Sequence, residues 1–142
     1  MTPAHTLKAL FLPLACLACL ALLGCSNKPS GVQVEQLLKT GEAWDGTAYA
    51  PYPAGQPEIT VVKITIPANT TLNWHEHPMP NVAYVLSGEL QVETRDSQQK
   101  ITVRPGEALP EVVQTSHRGT SGNKPVELIV FYAGGSGMPL SR

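Results

Sequence analysis

Three histidines are the residues of this sequence whose types and spacing are best suited to chemistry. His75 and His77 lie two positions apart, and His117 lies far along the chain. Imidazole is the commonest side-chain ligand for borderline transition metals. Because residues i and i+2 of a β-strand point to the same face, His75 and His77 can bind one ion together. With His117 as a third donor, such a site leaves coordination positions open, as catalytic metal sites do.

The sequence around the histidine pair resembles the first motif of the cupin superfamily. That motif consists of Gly, five residues, His-x-His, three or four residues, Glu, six residues and Gly. Asn69 stands at the first Gly position, and Asn is the next best residue for a left-handed turn. His75, His77 and Gly88 are in register with the motif.

A later stretch resembles the second cupin motif, which consists of Gly, five residues, Pro-x-Gly, two residues, His, three residues and Asn. Gly106 and His117 match it in register. Three motif positions carry other residues, namely Val112, Gln114 and Ser121 in place of Pro, Gly and Asn. The resemblance implies an all-β fold with a single cupin jelly-roll β-barrel. It also implies one bound divalent transition metal, which the sequence leaves open as Zn, Cu, Mn, Ni or Fe.

The cupin glutamate, which is normally the fourth metal ligand, is absent from its position. Asn81 stands there, and the four-residue spacing would give Val82. An amide oxygen coordinates weakly and brings no charge, so Asn81 is predicted to be a weak or absent ligand. The resemblance therefore implies a site of three neutral imidazoles without the family's carboxylate.

Glu111 is a candidate replacement for the missing carboxylate. Counted along the strand that follows Gly106, Leu109 and Glu111 share one face, while Ala108 and Pro110 share the other. A carboxylate inside the barrel would be costly unless it were paired with a cation or metal, and it would be a candidate catalytic base. The alternative is a bulge at Pro110 that turns Glu111 to solvent. The sequence leaves both orientations open.

The N-terminus predicts export and lipid attachment. A segment with one positive charge precedes the apolar run Ala9–Leu23, whose about fifteen residues are too few to span a bilayer. The run ends in Leu22-Leu23-Gly24-Cys25, which resembles the bacterial lipobox. This resemblance implies that residues 1–24 are a lipoprotein signal peptide and that Cys25 is diacylated. An ordinary secretory signal would instead need an Ala-x-Ala-like site.

The residue after Cys25 suggests the final location. Ser26 is not the aspartate that retains lipoproteins in the inner membrane. We therefore expect a lipid-anchored protein of the bacterial cell envelope, in the outer membrane and facing the periplasm. The absence of a twin-arginine pair before the apolar run favours export of the unfolded chain. The metal would then be loaded outside the cytoplasm, where the affinity order favours Cu and Zn.

The rest of the chain is predicted to fold as one domain. Its predicted regions are residues 25–31 as acylated cysteine and tether, 32–57 as an irregular lead-in that covers the barrel, 58–133 as the barrel, and 134–142 as a tail. Val32–Lys39 is predicted to be a short helix or an edge strand. Glu58–Ile66 is rich in β-branched residues, which predicts a strand buried on both faces. Ser87-Gly88 predicts a hairpin turn between Val82–Leu86 and Glu89–Thr94.

Further short strands are predicted at 101–103, 108–113 and 126–133. Short strands joined by Gly and Pro turns are typical of an all-β sandwich or barrel. Charge is balanced, with 10 Lys and Arg against 11 Asp and Glu, and no basic stripe appears. This pattern argues against nucleic-acid binding.

Two classes of function remain open. The first is a metal-dependent, dioxygenase-like oxidoreductase that acts on a small organic molecule. The second is a non-catalytic module that binds or senses a small ligand or metal in the cell envelope. The expected partners are a small molecule, the membrane through the lipid anchor alone, and, as an open question, a second copy of the chain. The fold does not separate the two classes.

Overall fold

Seven β-strands make up the regular secondary structure of residues 31–142, which are the residues that the computed structural model describes. They are β1 (Pro57–Ile66), β2 (Asn81–Ser87), β3 (Leu90–Thr94), β4 (Lys100–Val103), β5 (Ala108–Pro110), β6 (His117–Ser121) and β7 (Val126–Gly135). The prediction of an all-β fold is confirmed. This part of the chain has no helix long and apolar enough to cross a membrane. The predicted signal peptide and Cys25 lie outside the described residues.

The strands form two antiparallel sheets around one hydrophobic core. One sheet has the order β1-β7-β2-β5, and the other has the order β4-β3-β6. Alternate side chains of β2 and β7 point inward because side chains of a strand alternate between its faces. Both sheets contribute to a single cluster of buried side chains, including Val85, Val92, Val103 and Val130. Burying each such side chain contributes about 1.5–3 kcal/mol.

Strand β1 is exposed on one face, so the expectation of burial on both faces is wrong. Ile59 and Val61 are 65% and 58% exposed. Within the described residues, β1 pairs only with β7 and is an edge strand. An antiparallel sheet needs only one covered face, and β-branched residues suit either face of a pleated strand.

The Ser87-Gly88 turn is not a hairpin, because β2 and β3 belong to different sheets. The chain crosses from one sheet to the other at Gly88, which has a φ of 76°. A Cβ atom at Gly88 would lie 2.3 Å from the carbonyl oxygen of Pro125. The crossing therefore requires glycine both for its backbone conformation and for the close approach of a second chain segment.

Other sequence expectations also differ from the structure. Residues 32–39 belong to no helix or strand, so that prediction is wrong. The strand predicted over residues 108–113 ends at Pro110, and strand β6 was not predicted. Asn69 has a φ of 54°, which confirms the left-handed turn predicted there. Gln114, at the glycine position of the second motif, has a φ of 53°.

Candidate metal centre

The backbone brings two of the three histidines together. His75 lies before β2, and His117 is the first residue of β6. The two residues form an antiparallel bridge in which His75 N donates to His117 O at 3.0 Å and His117 N donates to His75 O at 2.9 Å. His77 follows two residues after His75, so its side chain points to the same side.

The three imidazole rings surround one point. Their centroids are separated by 4.5 to 5.0 Å, and one ring nitrogen of each lies within 4.8 Å of the other two. His77 and His117 are buried, with 4% and 2% exposure, whereas His75 is half-buried. Three histidines in this arrangement could hold one metal ion, with the more open side at His75.

Backbone carbonyls fix the tautomer of each imidazole. The Nδ1 atom of His75 lies 2.8 Å from Asn73 O, that of His77 lies 2.7 Å from Leu140 O, and that of His117 lies 2.8 Å from Thr115 O. A carbonyl oxygen can only accept, so each Nδ1 must carry the hydrogen. Each neutral ring therefore presents the lone pair of Nε2 to the centre, as metal-binding histidines do.

The environment of His117 Nε2 fits a metal. This atom is buried and has no hydrogen-bond partner among residues 31–142. A buried polar atom without a partner is costly, and native structures contain few of them. A metal ion at the meeting point of the three Nε2 atoms would provide the missing interaction. Imidazole nitrogen suits Zn, Cu, Fe and Ni.

Glu111 points into the barrel beside the histidines. Its side chain is buried, and Oε2 lies 2.8 Å from His77 Nε2 and 3.3 Å from His117 Nε2. The longer contact leaves His117 Nε2 without a hydrogen-bond partner among residues 31–142. The solvent-facing alternative is therefore wrong for this structure. The catalytic role of Glu111 stays a prediction.

Electrostatics keep Glu111 ionised. Burial alone would raise the pKa of Glu111, but contacts with His117 and His77 outweigh burial and lower it to about 2. Burial lowers the pKa of His77, yet the adjacent carboxylate reverses the effect and raises it. For His75, burial lowers the pKa. The site thus contains a carboxylate charge in a low-dielectric interior, where a cation is strongly attracted.

Two tyrosines accompany the carboxylate. The Tyr49 hydroxyl donates to the backbone oxygen of Glu111 at 2.7 Å, so part of the lead-in segment holds this position. The Tyr132 ring lies edge-on to His77, with centroids 5.5 Å apart. Burial, with a smaller contribution from the Glu111 charge, raises the pKa of each tyrosine to about 12. Both phenols therefore stay protonated at neutral pH.

Asn81 is buried at 2% exposure but is not among the residues that line the cavity beside the histidines. Its Nδ2 lies 3.5 Å from Met79 O, and its Oδ1 has no hydrogen-bond partner within residues 31–142. Its side chain forms no hydrogen bond with the three imidazoles. Its assignment as a weak or absent ligand stays a prediction.

A cavity of about 60 Å³ lies inside the barrel at this site. The three histidines, Glu111 and Tyr132 line it together with aliphatic side chains, which include Ile64, Leu128 and Val130. This volume holds an ion and a few water molecules, whereas sites for organic ligands measure about 300–1,000 Å³. A larger hollow of about 640 Å³ lies against Tyr52 and Phe131, but no histidine lines it. Metal chemistry therefore belongs to the smaller cavity.

Sequence reasoning missed the groups that orient the imidazoles. The backbone carbonyls of Asn73 and Thr115 each lie two residues before the histidine that they orient. This repeated spacing is the signal from which the two contacts could have been predicted. Nothing in the sequence signalled that Leu140 O would reach His77 from 63 positions away. Arg118 forms an ion pair with Glu93 at 2.6 Å and does not line the cavity beside the histidines.

The chain was compared with known families and solved structures. A family model described as Cupin domain matches residues 62–132, which is half of the chain. The chain belongs to the cupin superfamily. This match lies within the region 58–133 in which both sequence motifs were found. No curated protein sequence matches this cupin significantly.

Solved structures share the cupin fold with this chain. One is DMSP lyase DddQ from Ruegeria pomeroyi DSS-3, with 17% identity and a TM-score of 0.52 over 57% of this chain and 41% of that chain. Another is the polyketide cyclase RemF from Streptomyces resistomycificus, with 20% identity and a TM-score of 0.52 over 62% and 61%. A structure of the DMSP lyases RdDddP and RnDddQII matches at 22% identity and a TM-score of 0.52 over 59% and 43%. In each case the cupin spans less than two thirds of the matched chain, and the similarity concerns the fold.

Proposed function

We propose that this cupin is a metal-dependent, dioxygenase-like enzyme of the bacterial cell envelope, and that it oxidises a small organic molecule with O₂ as the oxidant. The observation that carries the proposal is the convergence of three Nε2 lone pairs, each oriented by a backbone carbonyl on Nδ1. Three protein donors leave coordination positions free for substrate, which is the arrangement of catalytic metal sites.

The residues of the chain have distinct tasks in this proposal. A bound divalent ion supplies Lewis-acid activation at its open positions. His75, His77 and His117 hold that ion, and Glu111 is the charged group placed to accept or return a proton beside it. The aliphatic lining excludes bulk water and strengthens the electrostatic interactions inside the cavity. The substrate approaches from the side of His75, the least buried of the three ligands.

One observation favours a second candidate function. A cavity of about 60 Å³ cannot enclose an organic substrate, and aliphatic side chains form much of its lining. A module that binds metal or a very small ligand needs no larger space. The fold is compatible with both functions, since cupins host both kinds of work. The solved relatives named as a lyase and a cyclase support the enzyme at the level of fold alone.

The location is also a proposal. The lipobox-like Leu22-Leu23-Gly24-Cys25 supports attachment through a diacylated cysteine, and Ser26 supports transfer to the outer membrane. The protein would then face the periplasm and receive its metal there. The membrane contact in this proposal is the lipid chain alone.

Elemental analysis of protein exported to the periplasm tests the proposal. We expect about one divalent transition ion per chain, and none in the His75→Ala, His77→Ala double variant. Oxygen uptake is then measured with the metal-loaded protein across a panel of small organic acids, phenols and thiols. Metal-dependent uptake that the double variant lacks would support the enzyme. Bound metal without turnover would favour the binding module, and a metal-free wild-type protein would contradict both.

A further inference from the structure

Glu111 and Asn81 occupy equivalent places on neighbouring strands. Strands β2 and β5 are antiparallel, with Val82 opposite Pro110 and Ala83 opposite Leu109. The same register, continued by one residue, places Asn81 opposite Glu111, and Glu111 N donates to Asn81 O at 3.1 Å. Residues directly opposite in an antiparallel pair point to the same face, with Cβ atoms about 5 Å apart. A carboxylate on either strand therefore approaches the same region of the interior.

The distances from Glu111 to two of the three histidines match those between ligands of one metal ion. Metal bonds of about 2.0–2.2 Å at angles of about 90–109° separate neighbouring donor atoms by about 2.8–3.6 Å. Oε2 of Glu111 lies 2.8 Å from His77 Nε2 and 3.3 Å from His117 Nε2. Both separations fall within this range.

The tautomer of His77 gives a second argument. Its Nδ1 hydrogen is held by Leu140 O, so the neutral ring turns a lone pair toward Oε2. A lone pair and a carboxylate oxygen at 2.8 Å repel each other unless a proton or a metal ion lies between them. A proton on His77 Nε2 would serve that pair alone, whereas a metal ion at the meeting point of the imidazoles also provides a partner for the buried Nε2 of His117.

We infer that Glu111 is the fourth ligand of the metal centre, and that the family's ligand carboxylate has moved across the strand pair from position 81 to position 111. The inference rests on the proposed metal centre and deepens it: Oε2 of Glu111 binds the ion, and Oε1 keeps the proton-accepting role. The donor set becomes three nitrogens and one charged oxygen. The near-complete burial of Glu111 then has a cause, because a buried carboxylate needs a cation beside it.

The first test is the dissociation constant for Zn²⁺, measured by competition with a chromophoric chelator. Glu111→Gln keeps the size of the side chain and removes its charge. We expect its affinity to fall by more than about 100-fold, since loss of an outer-shell partner costs about 10–100-fold. Asn81→Ala is the matched control and should change affinity by less than about threefold, because a neutral amide is a poor ligand. An unchanged affinity in Glu111→Gln would overturn the inference.

The second test moves the carboxylate back. The double variant Asn81→Glu, Glu111→Gln restores the ligand position of the family and should recover affinity to within about tenfold of wild type. No recovery would contradict the equivalence of the two positions. Circular dichroism of each variant confirms that the barrel is folded before affinity is compared.

A crystal structure of the Zn²⁺-loaded wild-type protein shows directly whether Glu111 is bonded to the ion, and it does not depend on any variant. We expect a Glu111 carboxylate oxygen at about 2.0–2.2 Å from the ion. An ion on the three histidines with Glu111 beyond about 3 Å, hydrogen-bonded to a water ligand, would overturn the inference and leave the three-histidine site intact. A wild-type protein that binds no Zn²⁺ or other transition ion would instead overturn the proposed function.

Discussion

His75 and His117 hold each other in place through two reciprocal backbone hydrogen bonds, of 3.0 and 2.9 Å. The backbone positions of two of the three histidines therefore follow from strand pairing. The third imidazole, that of His77, is oriented by Leu140 O. The site is built on a core of its own, so it differs from zinc fingers, which fold only when metal binds.

Substitution of any one histidine should remove the metal without unfolding the barrel. We expect His75→Ala, His77→Ala and His117→Ala each to lose bound metal, because each imidazole is a direct ligand of the ion. Metal content is measured by elemental analysis, and folding by far-ultraviolet circular dichroism. Undiminished metal in the His75→Ala, His77→Ala double variant would contradict the assignment.

Removal of residues 139–142 should weaken metal binding by about 10–100-fold, the usual effect of losing an outer-shell partner. The deletion removes the Leu140 carbonyl that orients His77, together with the two backbone hydrogen bonds between Arg142 and Glu76. Because Leu140 also packs against the core, Leu140→Ala is the matched control, since it keeps the carbonyl and loses the side chain. The Zn²⁺ dissociation constant distinguishes the two. Equal losses in both variants would show that packing, and not the carbonyl, matters.

Gln114→Gly should raise the free energy of unfolding by about 1 kcal/mol. Gln114 is exposed and has a φ of 53°. Residues other than Gly and Asn rarely adopt this backbone conformation. Asn69→Gly is the control, and its gain should be smaller because Asn tolerates the same conformation. Urea denaturation measures both changes. A destabilised Gln114→Gly variant would argue against strain at this turn.

Ser121→Ala should lower the free energy of unfolding by about 1–3 kcal/mol. The buried Ser121 hydroxyl donates to Pro67 O at 2.6 Å and accepts from Thr70 N at 2.9 Å. Without it, a backbone donor and an acceptor lose their partner. Thr120→Ala, which removes an exposed side-chain bond to Thr71, should change stability by less than about 0.5 kcal/mol. Similar denaturation midpoints for the two variants would refute this role.

Cys25→Ser should release soluble, unacylated protein, because attachment of the diacylglycerol requires the thiol. The prediction rests on the lipobox-like Leu22-Leu23-Gly24-Cys25 in the sequence. Membrane fractionation and mass spectrometry of the N-terminal peptide measure the outcome. Wild-type protein found free in the periplasm with an unmodified N-terminus would rule out the anchor.

The sequence by itself determined the family, the strand class and the convergence of the histidines. Two motifs in register set His75, His77 and His117 at spacings that only a folded barrel brings together. These inferences succeed because they depend on local periodicity and on glycine or asparagine at turns, such as Asn69. The same local reasoning also set Glu111 on the face that it shares with Leu109.

Only the tertiary structure decided how the strands pair and what surrounds the histidines. The sequence Ser87-Gly88 suits both a hairpin turn and a crossing between two sheets, because both connections need a residue with a positive φ. Burial of β1 depends on whether another element covers its outer face, which β-branched composition cannot reveal. The orientation of His77 depends on Leu140, a contact between segments 63 positions apart. The place of Asn81 opposite Glu111 likewise follows from the register of β2 and β5. Neither segment by itself determines which residue of the other strand it will face.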